Sequence, residues 1–508
     1  MPMQRIKYFG VGAAATVALA ATAAHATVTI SSAATTNMTC SGGVCAPTAT
    51  KAVLNVGDLE TLLASGNVTV TTTGTGVQAS DIDVKATLGW SSSGALSLLA
   101  NKSIAIDNPV SITGLSGLTI GTGKSGTFSF GSKGHVTFAN LSSKLSIDGV
   151  AYTLVGDVKS LADSGNSIAL ANNYDASVDG TYKSCPISTV FTGTFTGLGN
   201  TISNLSISGG TEIDGELIEG LFVEIGPKGT VKNIGLVNAA IVAPVKYMGA
   251  GSLVGSNYGV IISSFATGMM TFGKKASGGG LVAGNYGTIE NSYATDRLTG
   301  SAGDIGGLVG GNGGVILDSY ASGTIATSGD IGGLAATNNG TIDGSYATGT
   351  ITAKGKGTLA GGLVGFHEAG VIENSYASGK VKGGKSGGGG PNASSYGGLV
   401  GKNVSTISFS YSTGAVTGGA GNYIGGLVGA DGSPSGSITD TYWDTDTSGI
   451  TNLGQGAGNI VNDPGITGLT TTEFQFGLPQ GFDPKVWAEK SNIDDGFPYL
   501  LANPPAKK

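Results

Sequence analysis

Two aspartates are the first residues in this chain whose placement suggests chemistry. Asp304 and Asp330 sit in near-identical surroundings, Gly303-Asp304-Ile305 and Gly329-Asp330-Ile331. Neighbouring carboxylates perturb each other's protonation, and a pair of acids with unequal proton affinity is the equipment of glycoside cleavage. The flanking units carry Ser277 and Leu359 at that place and no basic residue recurs beside the pair, so a solvated corner is the expected role. A second acidic run, Asp444-Thr445-Asp446-Thr447-Ser448-Gly449, has acids at positions 1 and 3 and glycine at 6 of a calcium-loop pattern. Position 12 is Gln455 instead of a bidentate acid, which favours a plain turn. His25, His135 and His367 are far apart in sequence. Cys40 and Cys45 bracket a Gly/Ser loop and suit a small disulfide in an exported chain, with Cys185 left over. No nucleophile–His–acid set, zinc spacing or phosphate loop emerges. The expectation is therefore no catalytic, cofactor-binding or metal-binding residues, no cofactor, and a protein that is not an enzyme.

These residues hang on a repeat. Gly-Gly-Leu-Val-Gly or a close variant recurs with its leucine at 253, 281, 308, 334, 363, 399 and 427. An aromatic follows in each unit: Phe265, Tyr293, Tyr320, Tyr346, Tyr376, Tyr411 and Tyr442. A period of this size marks a solenoid or propeller, and propeller blades are longer, about 40–50 residues. The pattern predicts an all-β parallel β-helix in which each unit supplies three short strands and three turns. Leucine, valine, isoleucine and the aromatic would stack on their counterparts one coil away, about 4.8 Å distant. Glycines would serve corners that need positive φ. The Gly-rich insertion Lys382 to Ser395 should bulge from one corner. About 25 residues per lap gives on the order of 19 coils and a rod roughly 90 Å long.

One residue before the aromatic runs a hydroxyl ladder, Ser264, Ser292, Ser319, Ser345, Ser375, Ser410 and Thr441. Two before it is a broken polar ladder of Asn291, Asp318, Asn374 and Asp440. Both read as groups that satisfy one another between coils, although part of this polar face could meet a glycan.

Composition agrees with a β-rich exported protein. Of 508 residues 91 are Gly and only 12% are charged, against roughly 25% charged in ordinary domains. The net charge is −7 and the basic residues are scattered along the chain, so nucleic acid is not an expected partner. Residues 1–26 read as a signal peptide: Arg5 and Lys7, an apolar stretch from Val11 to Ala24, and the Ala24-His25-Ala26 cleavage pattern. No later segment suits a transmembrane helix. Residues 27–150 hold short alternating runs such as Val68-Thr69-Val70-Thr71 and Val110-Ser111-Ile112, with brief helices expected at Asp58 to Leu63 and Asp157 to Ala162. Residues 151–248 continue as coils, 249–443 carry the seven repeats, and 444–508 form a cap for the open end.

At three places the chain resembles known bacterial families. Asp81 to Ile147, with Ala86-Thr87-Leu88-Gly89-Trp90 and Pro109-Val110-Ser111-Ile112, resembles secreted filamentous-haemagglutinin-type β-helices. Phe191 to Leu205 is similar to the coil preceding GLUG repeats, and the Gly-Gly-Leu-Val-Gly units are close to the GLUG motif itself. The ending, with Gly481-Phe482-Asp483-Pro484 and Phe497-Pro498-Tyr499-Leu500, is similar to the usual close of such chains. The Asn-Pro-Asn-Gly type motif of two-partner secretion leaders is not found. The resemblance implies a secreted or surface-associated adhesin or stalk that meets extracellular polysaccharide, a matrix, or a host or neighbouring cell surface. The alternatives are a polysaccharide lyase or hydrolase, and a matrix component without a specific ligand.

Overall fold

The computed structural model describes residues 26–505 apart from 75–76, 163–165, 214, 245–247, 302 and 385–392. The expected leader, save Ala26, and the middle of the expected bulge between Lys382 and Ser395 lie outside the described residues. The chain forms a parallel β-solenoid of about 15 turns.

The first stack has three faces. Asp81–Val84, Leu88–Trp90 and Leu96–Leu99 make one lap. The next two laps lie in register on it, through Ile82↔Ile104↔Phe128, Leu88↔Val110↔Val136 and Leu96↔Leu118↔Leu145. Alternate side chains of each strand point inward, which is the period-two pattern of the sequence. The outer end is covered by the helix Val56–Ser65, started by Asn55, whose Oδ1 accepts the Gly57 and Asp58 N–H groups. Leu59 and Leu63 of that helix are fully buried. Beside it the hairpin Met38–Ser41/Val44–Pro47 pairs Cys40 with Cys45, and the two are joined by a disulfide. Both devices shield an end that would otherwise present unpaired backbone.

At Asp148 and Gly149, both left-handed (φ 49° and 79°), the chain reverses. Lys144–Ile147 runs antiparallel to Val150–Val155, and every later strand of this sheet follows the new direction. Among the described residues the result is one sheet of 17 strands, antiparallel at this joint and at the edge hairpin Met38–Ser41/Val44–Pro47 and parallel elsewhere. Beyond the exposed start of Val150–Val155, the strands at the joint are buried on both faces: Leu154 and Ala169 belong to the first core, Val155, Ile168 and Leu170 to the second. At about 4.8 Å per strand this sheet is roughly 75–80 Å long. That is shorter than the roughly 90 Å expected from about 25 residues per lap, because hairpins, helices and a returning tail use chain without adding laps.

In the repeats each lap visits four sheets instead of the expected three. Ser277–Gly279, Val282–Asn285 and Thr288–Glu290 lie on three of them, and Tyr293–Ala294 with Arg297–Gly300 on the fourth. The extra face comes from the Gly-Gly-Leu-Val corner. The Leu308 carbonyl accepts both the Leu281 and Val282 N–H groups (3.0 and 3.1 Å), and the pattern repeats at Leu334, Leu363, Leu399 and Leu427. All seven motif leucines are fully buried. The motif glycines are not left-handed. They are glycine because backbone occupies the space of a side chain: a Cβ on Gly332 would lie 1.7 Å from the Ala335 carbonyl oxygen, and one on Gly306 1.9 Å from that of Val309. Positive φ falls elsewhere, at Asn291, Asp318, Gly344, Asn374 and Asp440 (44° to 59°), so the broken polar ladder is a row of left-handed turns that favours Asn, Asp and Gly.

The aromatics also differ from expectation. Phe265, Tyr293, Tyr320, Tyr346, Tyr376 and Tyr411 stack ring on ring at 4.7–5.1 Å, but outside the aliphatic core. Residues after Asp444 first add a partial lap, with Ile466–Leu469 pairing to Thr441–Asp444. The chain then doubles back along the side of the solenoid. Phe474, Phe482 and Trp487 pack on Tyr411, the Tyr411 hydroxyl donates to the Pro498 carbonyl, and Asn503 Nδ2 donates to the Gly344 carbonyl (3.3 Å). The tail therefore covers a flank as well as extending the end. Among the described residues no helix is long and apolar enough to cross a membrane.

The close-approach account of the glycines makes a prediction. Gly332→Ala should cost about 1–3 kcal/mol or more from overpacking. Gly311→Ala, whose Cβ would meet only Thr337 Oγ1 at 3.3 Å, should cost far less. Urea midpoints of the two variants decide it, and equal losses would remove the explanation.

Candidate functional site

The hydroxyl ladder is internal scaffolding. Each of Ser292, Ser319, Ser345, Ser375 and Ser410 accepts the backbone N–H of its counterpart one coil earlier (3.1–3.3 Å) and donates to the carbonyl two residues before itself. All are buried. A second ladder went unread in the sequence. Asn257, Asn285, Asn312 and Asn338 each pass an Nδ2–H to the next side chain (2.7–3.2 Å), the last to His367 Nδ1. His367 Nε2 then donates to the Thr406 carbonyl (3.0 Å), and burial holds its pKa below the usual imidazole value. The signal was present: every member lies four residues after its motif leucine, continuing through Asn403 to Asp431.

The acidic run after the last repeat is used up locally. Asp444 is buried, its Oδ1 accepts the Asp446 and Thr447 N–H groups, and its Oδ2 accepts the Thr471 hydroxyl. Asp446 Oδ2 accepts the Thr471 N–H. Its carboxylates tie the final turn to the start of the tail. Cys185 is buried, and its thiol donates to the Ile218 carbonyl (3.2 Å). His135 is remote from His367 along the stack, near the Lys133 carbonyl.

Asp304 and Asp330 are brought together, and they are not a freely solvated corner. Ser277 Oγ accepts the Asp304 N–H (3.1 Å), Asp304 Oδ1 accepts the Asp330 N–H (3.3 Å), and Asp330 Oδ1 accepts the Leu359 N–H (3.3 Å). Burial, and then the charge of Asp304, push the Asp330 carboxyl up to about 6, while Lys402 pulls the other way. Lys402 comes from the second strand of a later lap, which is why no basic neighbour was visible in the sequence.

Of the two, Asp304 lines the rim of a groove. The first two strands of successive laps fold towards each other at the Gly-Gly-Leu-Val corner and leave a furrow of about 230 Å³ running across the coils. Glycines 249, 284 and 311 floor it, Ser256, Ser277 and Thr337 present hydroxyls, and Glu216 and Asp304 present carboxylates. Tyr286 forms one wall and is stacked on Tyr258 (4.9 Å), both rings exposed. Ser256, Gly284, Gly311, Thr337, Phe366 and Lys402 occupy one continuous register row. Further along that row Lys402 Nζ lies 5.2 Å from the centre of the Phe366 ring. Such a strip suits an extended polar chain laid along the rod, gripped by hydroxyls and carboxylates and flanked by aromatic rings.

Asp296 stands where the other laps have glycine (268, 323, 349, 379 and 414). It is 1% exposed, and neither carboxylate oxygen finds a partner beyond its own backbone N–H. Burial raises it to about 7. A carboxyl whose folded pKa exceeds its unfolded value supports the fold below the unfolded pKa, near 4, and that support is lost as pH rises to about 7. Asp296→Gly should therefore stabilise the protein by a few kcal/mol at pH 8, on the order of the shift itself, and much less at pH 4.5. Denaturant titrations at the two pH values test this, and a pH-independent gain would overturn it.

Comparison with known proteins is limited but specific. A family model described as the GLUG motif matches residues 356–382. No curated protein matches the chain. Among solved structures the chain is similar to an IgA1 protease at 20% identity and a TM-score of 0.37, over 50% of this chain and 20% of that one. It thus spans about a fifth of that protein. It is also similar to a protein described as a "putative immunoglobulin A1 protease" from Bacteroides ovatus, at 17% identity and a TM-score of 0.37, over 69% of this chain and 92% of that one. The expectation that the protein is not an enzyme is corrected on this point: the solved structures it is similar to carry protease names.

Proposed function

We propose that this protein is exported by its N-terminal leader and works at the cell surface as a solenoid adhesin, with the furrow beside the Gly-Gly-Leu-Val corner as its binding strip for an extended glycan of a matrix or neighbouring cell. The observation that carries this reading is the furrow itself, which crosses several laps and combines hydroxyls, carboxylates and an exposed tyrosine pair without closing into a deep pocket. In this reading the three-faced N-terminal stack is the haemagglutinin-like part, and it sets the repeats off from the point of retention.

A second reading has its own observation. Asp330, raised to about 6 with Asp304 beside it, holds a proton at mildly acid pH, as acid-assisted glycoside cleavage requires of its acid.

One experiment addresses both. Cells lacking the protein should attach poorly to abiotic surfaces and to one another, and purified mature protein should restore attachment. The Tyr258→Ala/Tyr286→Ala double variant should lose at least five-fold in retained cells while unfolding like the parent. Full activity of that variant would remove the furrow from the proposal. The same incubations, read for chain-shortening of matrix polysaccharide at pH 5–6 with Asp330→Asn as control, separate binding from cleavage.

A further inference from the structure

The cations that are scattered in sequence are gathered by the fold. In the fourth sheet the second strand of each lap presents two outward rows. One runs Met269, Arg297, Thr324, Thr350, Lys380, Ala415, and the other Thr271, Thr299, Ala326, Thr352, Lys382, Thr417. The loops that leave these strands carry Lys274, Lys275, Lys354 and Lys356, all exposed. Seven of the 26 lysines and arginines of an acidic protein thus lie on one ridge across five laps, about 19 Å along the axis. Neither row contains an Asp or Glu. Arg297, Lys354, Lys356, Lys380 and Lys382 make no ion pair with a described carboxylate. Four acids of these laps, Glu290, Asp318, Asp343 and Glu373, crowd one another at the preceding corner, where Asp318 is raised by burial and then by Asp343 and Glu290; Asp296 is buried, and Asp304 and Asp330 lie at the corner after the ridge. Below the ridge, Lys274, Lys275, Ser301, Ser328 and Lys354 wall an open depression of about 870 Å³.

A ridge of like charges costs self-repulsion, which counter-ions relieve in free solution and a polyanion relieves on binding. Arg297 and Lys380 stand three laps apart, about 14 Å, with threonine hydroxyls between. That is the layout for regularly spaced anionic groups on a linear chain, with hydroxyl partners for what lies between them. Compact anions need convergent donors, and this ridge is drawn out. We infer that this ridge is a second binding surface, distinct from the furrow, whose ligand is a linear polysaccharide bearing carboxylate or sulfate groups.

The test uses the mature chain with polygalacturonate as probe and dextran as the neutral control. Wild-type protein should bind polygalacturonate and not dextran, with affinity falling at least ten-fold between 50 and 300 mM NaCl as counter-ions compete. The variant Lys354→Gln/Lys356→Gln/Lys380→Gln/Lys382→Gln should bind at least ten-fold more weakly. The matching four-fold Lys→Arg variant should bind like wild type, and all should unfold alike because the side chains are exposed. Tyr258→Ala/Tyr286→Ala should leave polygalacturonate binding intact, so that failure of the ridge and failure of the furrow are read separately. The inference is overturned if wild type does not bind, if the Gln variant binds normally, or if double-stranded DNA or phosphatidylglycerol vesicles bind as tightly as the polysaccharide.

Discussion

Every lap of this molecule is held in place by the laps above and below it, and that dependence on in-register parallel stacking governs the rest of the structure. The backbone ladders supply the bulk of the contact, but they would tolerate a slip of one residue wherever the side chains were uniform. The buried serine and asparagine ladders remove that freedom. A Ser319 hydroxyl that must accept from Ser292 and donate to the Leu317 carbonyl has one register in which both bonds form. The Asn312 amide, passing its hydrogen to Asn338 and accepting from Asn285, has the same property. Leaving such buried groups unpaired costs more than the bonds contribute when made, so these ladders set alignment more than they add stability.

Stacking of this kind creates two problems, open ends and uncovered flanks. The first end is met by a helix and a disulfide-bonded hairpin at residues 38–65. The polarity reversal at Asp148–Gly149 joins two solenoids through one antiparallel pair and exposes no edge between them. The tail serves the aromatic ladder by covering its last members with Phe474, Phe482 and Trp487 while Phe265 and Tyr293 stay half-exposed. One continuous sheet thus runs through both halves of the rod, which differ in cross-section, three faces before the joint and four in the repeats.

Function on such a scaffold is a property of rows. A residue type repeated at one register position becomes a stripe along the axis, and a stripe suits an extended ligand better than a compact one. The furrow, the crowded carboxylates at the third corner and the cationic ridge are three such stripes on three sides of one rod. Their separation follows from the repeat: a register position keeps its side of the rod from lap to lap, so residues that recur there accumulate as a stripe.

The sequence by itself determined the solenoid, the inward leucines, valines and isoleucines and the serine ladder, because each is a local pattern repeated at a constant period, and the short helices Val56–Ser65 and Val158–Ala162, which are local as well. It also held the asparagine ladder, four residues after each motif leucine, though that regularity went unread. It did not determine why the motif glycines are glycine. Their φ values are ordinary, and only the three-dimensional approach of neighbouring backbone forbids a Cβ. Nor could it show Lys402 acting on Asp330, the burial of Asp296, or the ridge made from Arg297, Lys354 and Lys380. Those relations join residues from different strands of different laps, and how far a chain turns at each corner is decided by packing across the whole lap. Period and hydrophobic alternation are written along the chain, whereas the neighbours of a charge are decided only when the laps close.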